Sequence, residues 1–316
     1  GSGASQLITG YSINHSKLEK QLADFLGFEK AVIFSSGYLA NLGVLSTFSG
    51  RKDLILQDRL NHASLIDAAR LSEAELLRYR HCDIKHAHEI LSRSQAESLL
   101  VVSDGVFSME GTVTPLKQLI ELKNKFKGML IIDDAHGIGV LGNHGKGIIE
   151  FTESNPNDID ILIGTFGKSF GTSGAFVCGR ANYIEYLIQK SRSLIYTTAL
   201  APAIVAATIK SLDIIISEKQ RRSNLNKNIH YFRHQLNKSP LKLEYSISAI
   251  QSIILGSNEA ALKFSQELEN RGLLVVAIRP PTVPANTARL RITLCSKHTK
   301  NQIDQLVTAL LEINNI

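Results

Sequence analysis

Short apolar runs alternate along most of the chain with stretches whose apolar residues recur every third or fourth position. The runs are Ala31–Phe34, Asp53–Leu56, Leu76–Tyr79, Ser98–Ser103, Met129–Asp133, Ile159–Gly164 and Gly174–Cys178. Helical patterns fall between several of them, from Gly37 through Phe48 and at His62–Leu71, Ile84–Ser92 and Pro115–Phe126. Strands buried on both faces lose the in–out alternation of half-exposed ones, so this texture predicts an α/β fold with a mainly parallel sheet covered by helices on both faces. In such sheets chemistry collects at the carboxyl ends of the strands. Ahead of the first run, Ser16-Lys17-Leu18-Glu19 has the form of a capping box, followed by Leu18, Leu22, Phe25 and Leu26 at helical spacing and by Gly27 as a stop.

The texture changes after about Leu200. Two long helical stretches, Ala201–Ser217 and Glu218–Asn237, carry much of the basic charge. A smaller α+β unit follows: strand Gln251–Leu255, helix Asn258–Arg271, strands Leu274–Ile278 and Arg289–Thr293, and helix Lys300–Ile313 with Thr299 as N-cap. The expected organisation is an N-terminal segment with a helix (1–30), a large domain (31–210) and a small C-terminal α+β domain (211–316). No low-complexity tether separates them.

Composition excludes several function classes. No apolar run approaches the roughly 18 residues that span a bilayer; Ala199–Ile209 is short and contains Pro202. The opening GSGASQLITGYS lacks the basic and apolar regions of a secretory signal, and without an initiator Met it reads as a fragment or a processed chain. Cys82, Cys178 and Cys295 are odd in number and far apart, which argues against a disulfide framework and for a reducing cytoplasm. The net charge of +6 raises nucleic acid as a partner, but the Lys and Arg residues are scattered and no aromatic–basic platform accompanies them. A positive surface equally suits an anionic metabolite or an acidic carrier protein.

Five short segments carry candidate chemistry. In Gly164-Thr165-Phe166-Gly167-Lys168-Ser169-Phe170-Gly171 a lysine follows an apolar strand among small residues. Burial or crowding there would lower its pKa and suit it to carbonyl chemistry, whereas a surface lysine on a glycine loop is the plain alternative. The P-loop template fails because position 162 is Leu. At the end of the run from Met129, Asp133-Asp134-Ala135-His136 places a carboxylate where burial demands a cationic partner, such as a protonated pyridine nitrogen. A metal is the rival reading of Asp133 and His136, and it needs a third ligand from elsewhere. Ser35-Ser36-Gly37-Tyr38 opens a helix whose free N–H groups suit a phosphate. His62, in Asn61-His62-Ala63-Ser64, is placed to stack on a planar ring or simply to start a helix, and Asp104-Gly105-Val106-Phe107-Ser108 supplies a hydroxyl after a strand.

Taken in this order along one α/β domain, these segments resemble the α-oxoamine synthases, a branch of the fold-type-I PLP-dependent transferases, and the resemblance runs the length of the chain. It implies pyridoxal 5'-phosphate as cofactor, held by Lys168 as a Schiff base, with Lys168 also moving the substrate Cα proton. It further implies that Asp133 pairs with the pyridine nitrogen, that His136 and Ser108 lie near the phenolic oxygen, and that His62 stacks on the ring. Gly37 and Tyr38 then border the cofactor, Thr165 binds its phosphate, and Thr198 reaches the phosphate of a neighbouring subunit, so a homodimer is expected. The stretch Ala277-Ile278-Arg279-Pro280-Pro281-Thr282 is most similar to the alanine-using members that serve biotin biosynthesis, where Arg279 grips the amino-acid carboxylate with Thr282 nearby. The implied reaction joins L-alanine to a pimeloyl thioester, of CoA or a carrier protein, with loss of CO2. The alternatives are glycine-using sisters (2-amino-3-ketobutyrate ligase or 5-aminolevulinate synthase) and a non-catalytic partner subunit of the same fold. Family members usually carry a further N-terminal segment that contributes to the acyl pocket. No resident metal, nucleic acid or membrane is expected.

Overall fold

A computed structural model describes residues 1–314. The chain forms two compact units. The first comprises Gly1–Val106 and Thr114–Ser217, and the second Phe107–Val113 and the chain from Glu218 onward.

The first unit is built on a seven-stranded sheet: β1 (Lys30–Phe34), β2 (Asp53–Asp58), β3 (Glu75–Tyr79), β4 (Ser98–Asp104), β5 (Met129–Asp133), β6 (Ile161–Thr165) and β7 (Ala175–Gly179). Their order is β1-β7-β6-β5-β4-β2-β3. The five strands from β6 to β3 are parallel, and β7 is antiparallel to both of its neighbours. Val102, Ile131, Ile163 and Val177 are fully buried, as expected for strands covered on both faces. The register sets Asp104 beside Asp133 and Asp133 beside Ile163, so the ends of β4, β5 and β6 form one row.

Helix Gly37–Phe48 packs on β6, β7 and helix Ala63–Leu71. Its residues Ala40, Asn41, Gly43, Val44 and Leu45 are all buried, so even a polar side chain on it is enclosed. Helix Ile13–Leu26 starts a turn earlier than the expected capping box. Ser12 is the N-cap, and its N–H donates to His15 Nδ1 at 3.2 Å. Ser16 is therefore inside the helix, and Glu19 serves elsewhere, accepting from Tyr11 Oη at 2.6 Å and from the Ile33 N–H at 3.0 Å. Gly27 closes the helix in the left-handed region, φ 84°. Helices Ala181–Lys190 and Arg192–Ile195 complete a stretch that the sequence patterns leave unassigned.

The second unit holds a four-stranded antiparallel sheet of β8 (Lys242–Leu243), β9 (Ile250–Gly256), β10 (Val276–Ile278) and β11 (Ala288–Thr293), in the order β10-β11-β9-β8. Helices Lys219–Leu236, Asn258–Asn270 and Lys300–Asn314 accompany it. Thr299 and Gln302 exchange backbone-to-side-chain bonds as a capping box ahead of the last helix.

Residues 107–113, expected within the large domain, belong to the second unit because β9, β11 and the segment before β9 hold them. Arg291 Nε donates to the Ser108 carbonyl at 2.6 Å, and Ser252 Oγ to the Met109 carbonyl at 2.6 Å. Ser246 Oγ donates to the Gly111 carbonyl at 2.9 Å, and Arg289 forms a buried 3.0 Å ion pair with Glu110. The expected boundary at 210 falls inside helix Pro202–Ser217, and residues 1–30 fold into the first unit.

Candidate active site

Three strand ends and one helix start converge in the first unit. After β6 the chain turns through Thr165–Gly174 and re-enters the sheet as β7. Phe166 and Phe170 anchor this turn in the core, with ring centroids 5.3 Å apart, and Phe166 stacks on Phe176 at 5.3 Å. Each such pair contributes roughly 0.5–1.5 kcal/mol beyond its burial. Ser169 Oγ donates to the Ile138 carbonyl at 2.6 Å, and the Gly171 N–H to the Lys168 carbonyl at 3.1 Å. Lys168, midway between the two aromatic anchors, is thus held at the crest of the turn. Its Nζ donates to Thr165 Oγ1 at 3.3 Å. The lysine is exposed, so its chemistry follows from placement and not from the burial that the sequence suggested.

Gly37 begins its helix against the same threonine. A Cβ at Gly37 would lie 2.7 Å from Thr165 Cγ2, so only glycine lets the helix start approach the end of β6 this closely. Ser36 Oγ accepts the Leu39 N–H at 3.2 Å, while the N–H groups ahead of it are those a helix start offers to an anion. Tyr38 is exposed, and its hydroxyl donates to Asp67 at 2.8 Å.

Asp133 ends β5, nearly buried. Asn41 Nδ2 donates to its Oδ2 at 2.7 Å, and the Ala135 N–H donates to its Oδ1 at 3.1 Å. Asp104, its neighbour on β4, accepts the His62 N–H at 2.8 Å. Burial first, and then the charge of Asp133, push the Asp104 carboxyl well above the usual carboxylate range. His62 caps helix Ala63–Leu71, with its ring Nδ1 2.8 Å from Ser64 Oγ. Asp134 turns into a pocket lined by three glycines, where a Cβ on Gly105, Gly137 or Gly147 would come within 2.5, 2.1 or 2.0 Å of its carboxyl oxygens.

Gly37, Thr165 and Lys168 therefore meet on one side of the row, while Asp133 and His62 are joined through Asn41 and Ser64. His136 is half-buried in the turn after β5. Thr198 is exposed in the first unit; Ser108 is half-buried and Arg279 and Thr282 are exposed in the second. Arg279 follows β10, and its carbonyl accepts the Thr282 N–H at 3.0 Å. Asn41, Ser64 and Asp104 escaped the sequence reading: the first two are ordinary helix residues there, and only the position of Asp104 at the end of an apolar run marks it. Among the described residues, three metal-ligating side chains gather at Asp58, the last residue of β2, with His81 and Cys82. There Asp58 accepts from Leu60 N (2.8 Å) and Cys82 N (2.7 Å), with His81 Nδ1 3.0 Å away, which is a turn-closing role.

The donor set fits a phosphate-bearing pyridine aldehyde. A helix start with a hydroxyl would suit a phosphate, an amine stands beside that hydroxyl, and a shielded carboxylate would suit a protonated ring nitrogen.

Comparison with known proteins places this arrangement. The family model "Aminotransferase class I and II" matches residues 2–310. The chain is 47% identical over 312 residues to an 8-amino-7-oxononanoate synthase of Methylococcus capsulatus, covering 99% of this chain and 81% of the relative. The same enzyme of Saccharophagus degradans is 47% identical over 313 residues, with 99% and 79% covered. Serine palmitoyltransferase from S. paucimobilis superposes with a TM-score of 0.96 at 33% identity, over 100% of this chain and 80% of that one. An 8-amino-7-oxononanoate synthase from Francisella tularensis gives 0.86 at 33% identity, over 96% and 88%. The two solved structures share one fold with this chain at equal identity, so the curated sequences decide between the branches. The chain belongs to the class I and II aminotransferase family, within which it groups with the 8-amino-7-oxononanoate synthases.

Proposed function

We propose that this chain is a PLP-dependent acyltransferase that condenses L-alanine with a pimeloyl thioester, releasing CO2 and the free thiol carrier and giving 8-amino-7-oxononanoate for biotin biosynthesis. The observation that carries the reading is Lys168 beside Thr165 at the end of β6, in a chain 47% identical to synthases of that name. Solved structural neighbours hold PLP. When bound, pyridoxal phosphate supplies an electron sink for negative charge at the substrate Cα.

In this reading the chain's own residues bind, orient and move protons. Lys168 Nζ would hold the cofactor through its amine and would take the proton from the substrate Cα. Asp133 keeps a proton on the pyridine nitrogen. His62 would cover the pyridine ring and exclude water from it, and His136 and Ser108 would serve its phenolic oxygen. Gly37, Tyr38 and Thr165 border and bind the phosphate end. Arg279, with Thr282, takes the alanine carboxylate through a guanidinium fork. A homodimer in which Thr198 serves the partner's phosphate, and a cytoplasmic location, complete the proposal. No described helix is long and apolar enough to cross a membrane.

Thiol release tests this function directly, with alanine, glycine and serine each run against pimeloyl-CoA, a pimeloyl carrier protein, acetyl-CoA, succinyl-CoA and palmitoyl-CoA. Alanine with a pimeloyl donor is expected to exceed every other pair at least tenfold in kcat/KM. A preference for glycine with a short acyl donor would assign the chain to a sister activity.

A further inference from the structure

His62 and Asp133 lie on different elements, yet one chain of hydrogen bonds joins them. Asn41, 1% exposed on helix Gly37–Phe48, donates through Nδ2 to Asp133 Oδ2 at 2.7 Å and to Ser64 Oγ at 2.7 Å. Ser64, also 1% exposed, lies 2.8 Å from His62 Nδ1. The polarity of this chain follows from its ends. A carboxylate oxygen only accepts, so the amide nitrogen of Asn41 faces Asp133; the opposite rotamer would set Oδ1 against the carboxylate. The second Asn41 proton goes to Ser64 Oγ, which leaves the single serine proton for His62 Nδ1. The Ser64 backbone N–H also points at Nδ1, at 3.3 Å. A ring nitrogen that receives two donors carries no proton of its own.

We propose that Asn41 and Ser64 are positioning residues that fix, from Asp133, the ring plane of His62 and its Nε2–H tautomer. The backbone of His62 is pinned independently: its N–H donates to Asp104 Oδ2 at 2.8 Å, and the Asp104 N–H donates to Asn61 Oδ1 at 3.0 Å. Two neighbouring carboxyl groups thus divide the work, Asp104 holding the main chain and Asp133 the ring. The residue that covers the cofactor and the residue that pairs with its nitrogen are set by one network, so disturbing either end displaces the other. This inference rests on the role given to His62 above and adds to it the two residues that enforce that role.

The test uses 15N-histidine-labelled protein, with and without PLP, and long-range 1H–15N spectra in which His62→Gln identifies the resonances. Wild type is expected to show His62 Nδ1 unprotonated and Nε2 carrying the proton, a result that needs no variant to fold. Ser64→Ala is expected to convert this to a mixture of tautomers and to weaken PLP binding by about two- to tenfold, the worth of one neutral hydrogen bond. Ser64→Thr, which keeps the hydroxyl, is expected to restore both. A proton on Nδ1 in wild type overturns the proposal, as does an Ala variant with unchanged His62 resonances and unchanged PLP affinity. A loss that Thr does not restore assigns Ser64 to packing and overturns it as well. If the His62 signals behave as stated but Lys168 takes no PLP, the proposed function fails and the network stands. If PLP binds at Lys168 but Nδ1 is protonated, the reverse holds.

Discussion

Asp134 offers a direct test of the electrostatics at the end of β5. It is fully buried, its Oδ2 accepts the Ile148 N–H at 2.7 Å, and its Oδ1 has no partner among the described residues. Burial pushes its carboxyl up to about 8; the Ile148 N–H opposes this in part, and the charge of Asp133 adds to it. The sign follows from proton counting. Between about pH 4 and pH 8 the folded chain holds a proton at this site that the unfolded chain has released, so this group's contribution to stability falls as pH rises through that window. The slope is about 1.4 kcal/mol per pH unit. Asp134→Asn keeps the shape and cannot ionise, so its stability relative to wild type should improve by about 3 kcal/mol between roughly pH 5.5 and 7.5. For a unit of this size 1 kcal/mol moves Tm by about 2–4 °C, which makes the relative shift about 6–12 °C. Calorimetric Tm values of the two proteins, measured across that range at one protein concentration, give the answer. Glu19, which burial pushes up to about 7, titrates in the same window but is common to both and cancels. Parallel Tm curves would show that Asp134 is charged throughout, and the reasoning would be wrong.

Lys168→Ala is expected to abolish the borohydride-reducible PLP adduct and leave a folded protein; covalent PLP on another lysine would refute the assignment. Asp133→Asn should lower kcat by orders of magnitude with less effect on PLP affinity, and near-normal turnover would place its role elsewhere. Arg289→Met removes the buried ion pair to Glu110 and should destabilise the second unit, read as faster hydrogen exchange at Phe107–Val113; Glu110→Gln in the same chain should recover part of the loss. Arg279→Lys should raise the KM for L-alanine about ten- to a hundredfold with normal cofactor spectra, since a lysine cannot reproduce a two-pronged grip.

The strands and most helices were legible because burial on both faces writes an unbroken apolar run, and the 3.6-residue repeat survives in the helices beside them. Errors arose where a local motif had two solutions. Ser16 and Glu19 have capping spacing, yet Ser12 and His15 satisfy the helix start one turn earlier, which frees Glu19 to hold β1 through Ile33. Ala181–Lys190 buries Ile184 and Leu187 three residues apart, a pattern that was present but weak beside the exposed Tyr186. Phe107–Val113 follows β4 in sequence, and its attachment to the second unit depends on Arg289, Arg291, Ser246 and Ser252, all more than a hundred residues away. No window of sequence holds that information. Lys168, Thr165 and Asp133 were legible because strand ends and small residues mark them. Asn41 and Ser64 were not, because a buried asparagine and serine inside helical patterns look like tolerated polar residues until their partners are seen.

Asp133 and Asp134 show why a motif alone does not assign chemistry. Two adjacent carboxylates look equivalent in sequence, but side chains alternate along a strand, so the pair at its end is sent in opposite directions. Asp133 meets the side-chain amide of Asn41 and the Ala135 N–H, two donors that favour its charged form. Asp134 enters a niche walled by Gly105, Gly137 and Gly147, held by the Ile148 N–H, where its proton is retained to about pH 8. Those glycines are needed because any Cβ would strike the carboxyl, and Gly147, at φ 78°, also occupies backbone space closed to other residues. The second aspartate is therefore committed to the turn that carries His136, and in the proposed function the ligand role falls to the first. Exchanging their partners, and not merely their positions, would be required to exchange their roles.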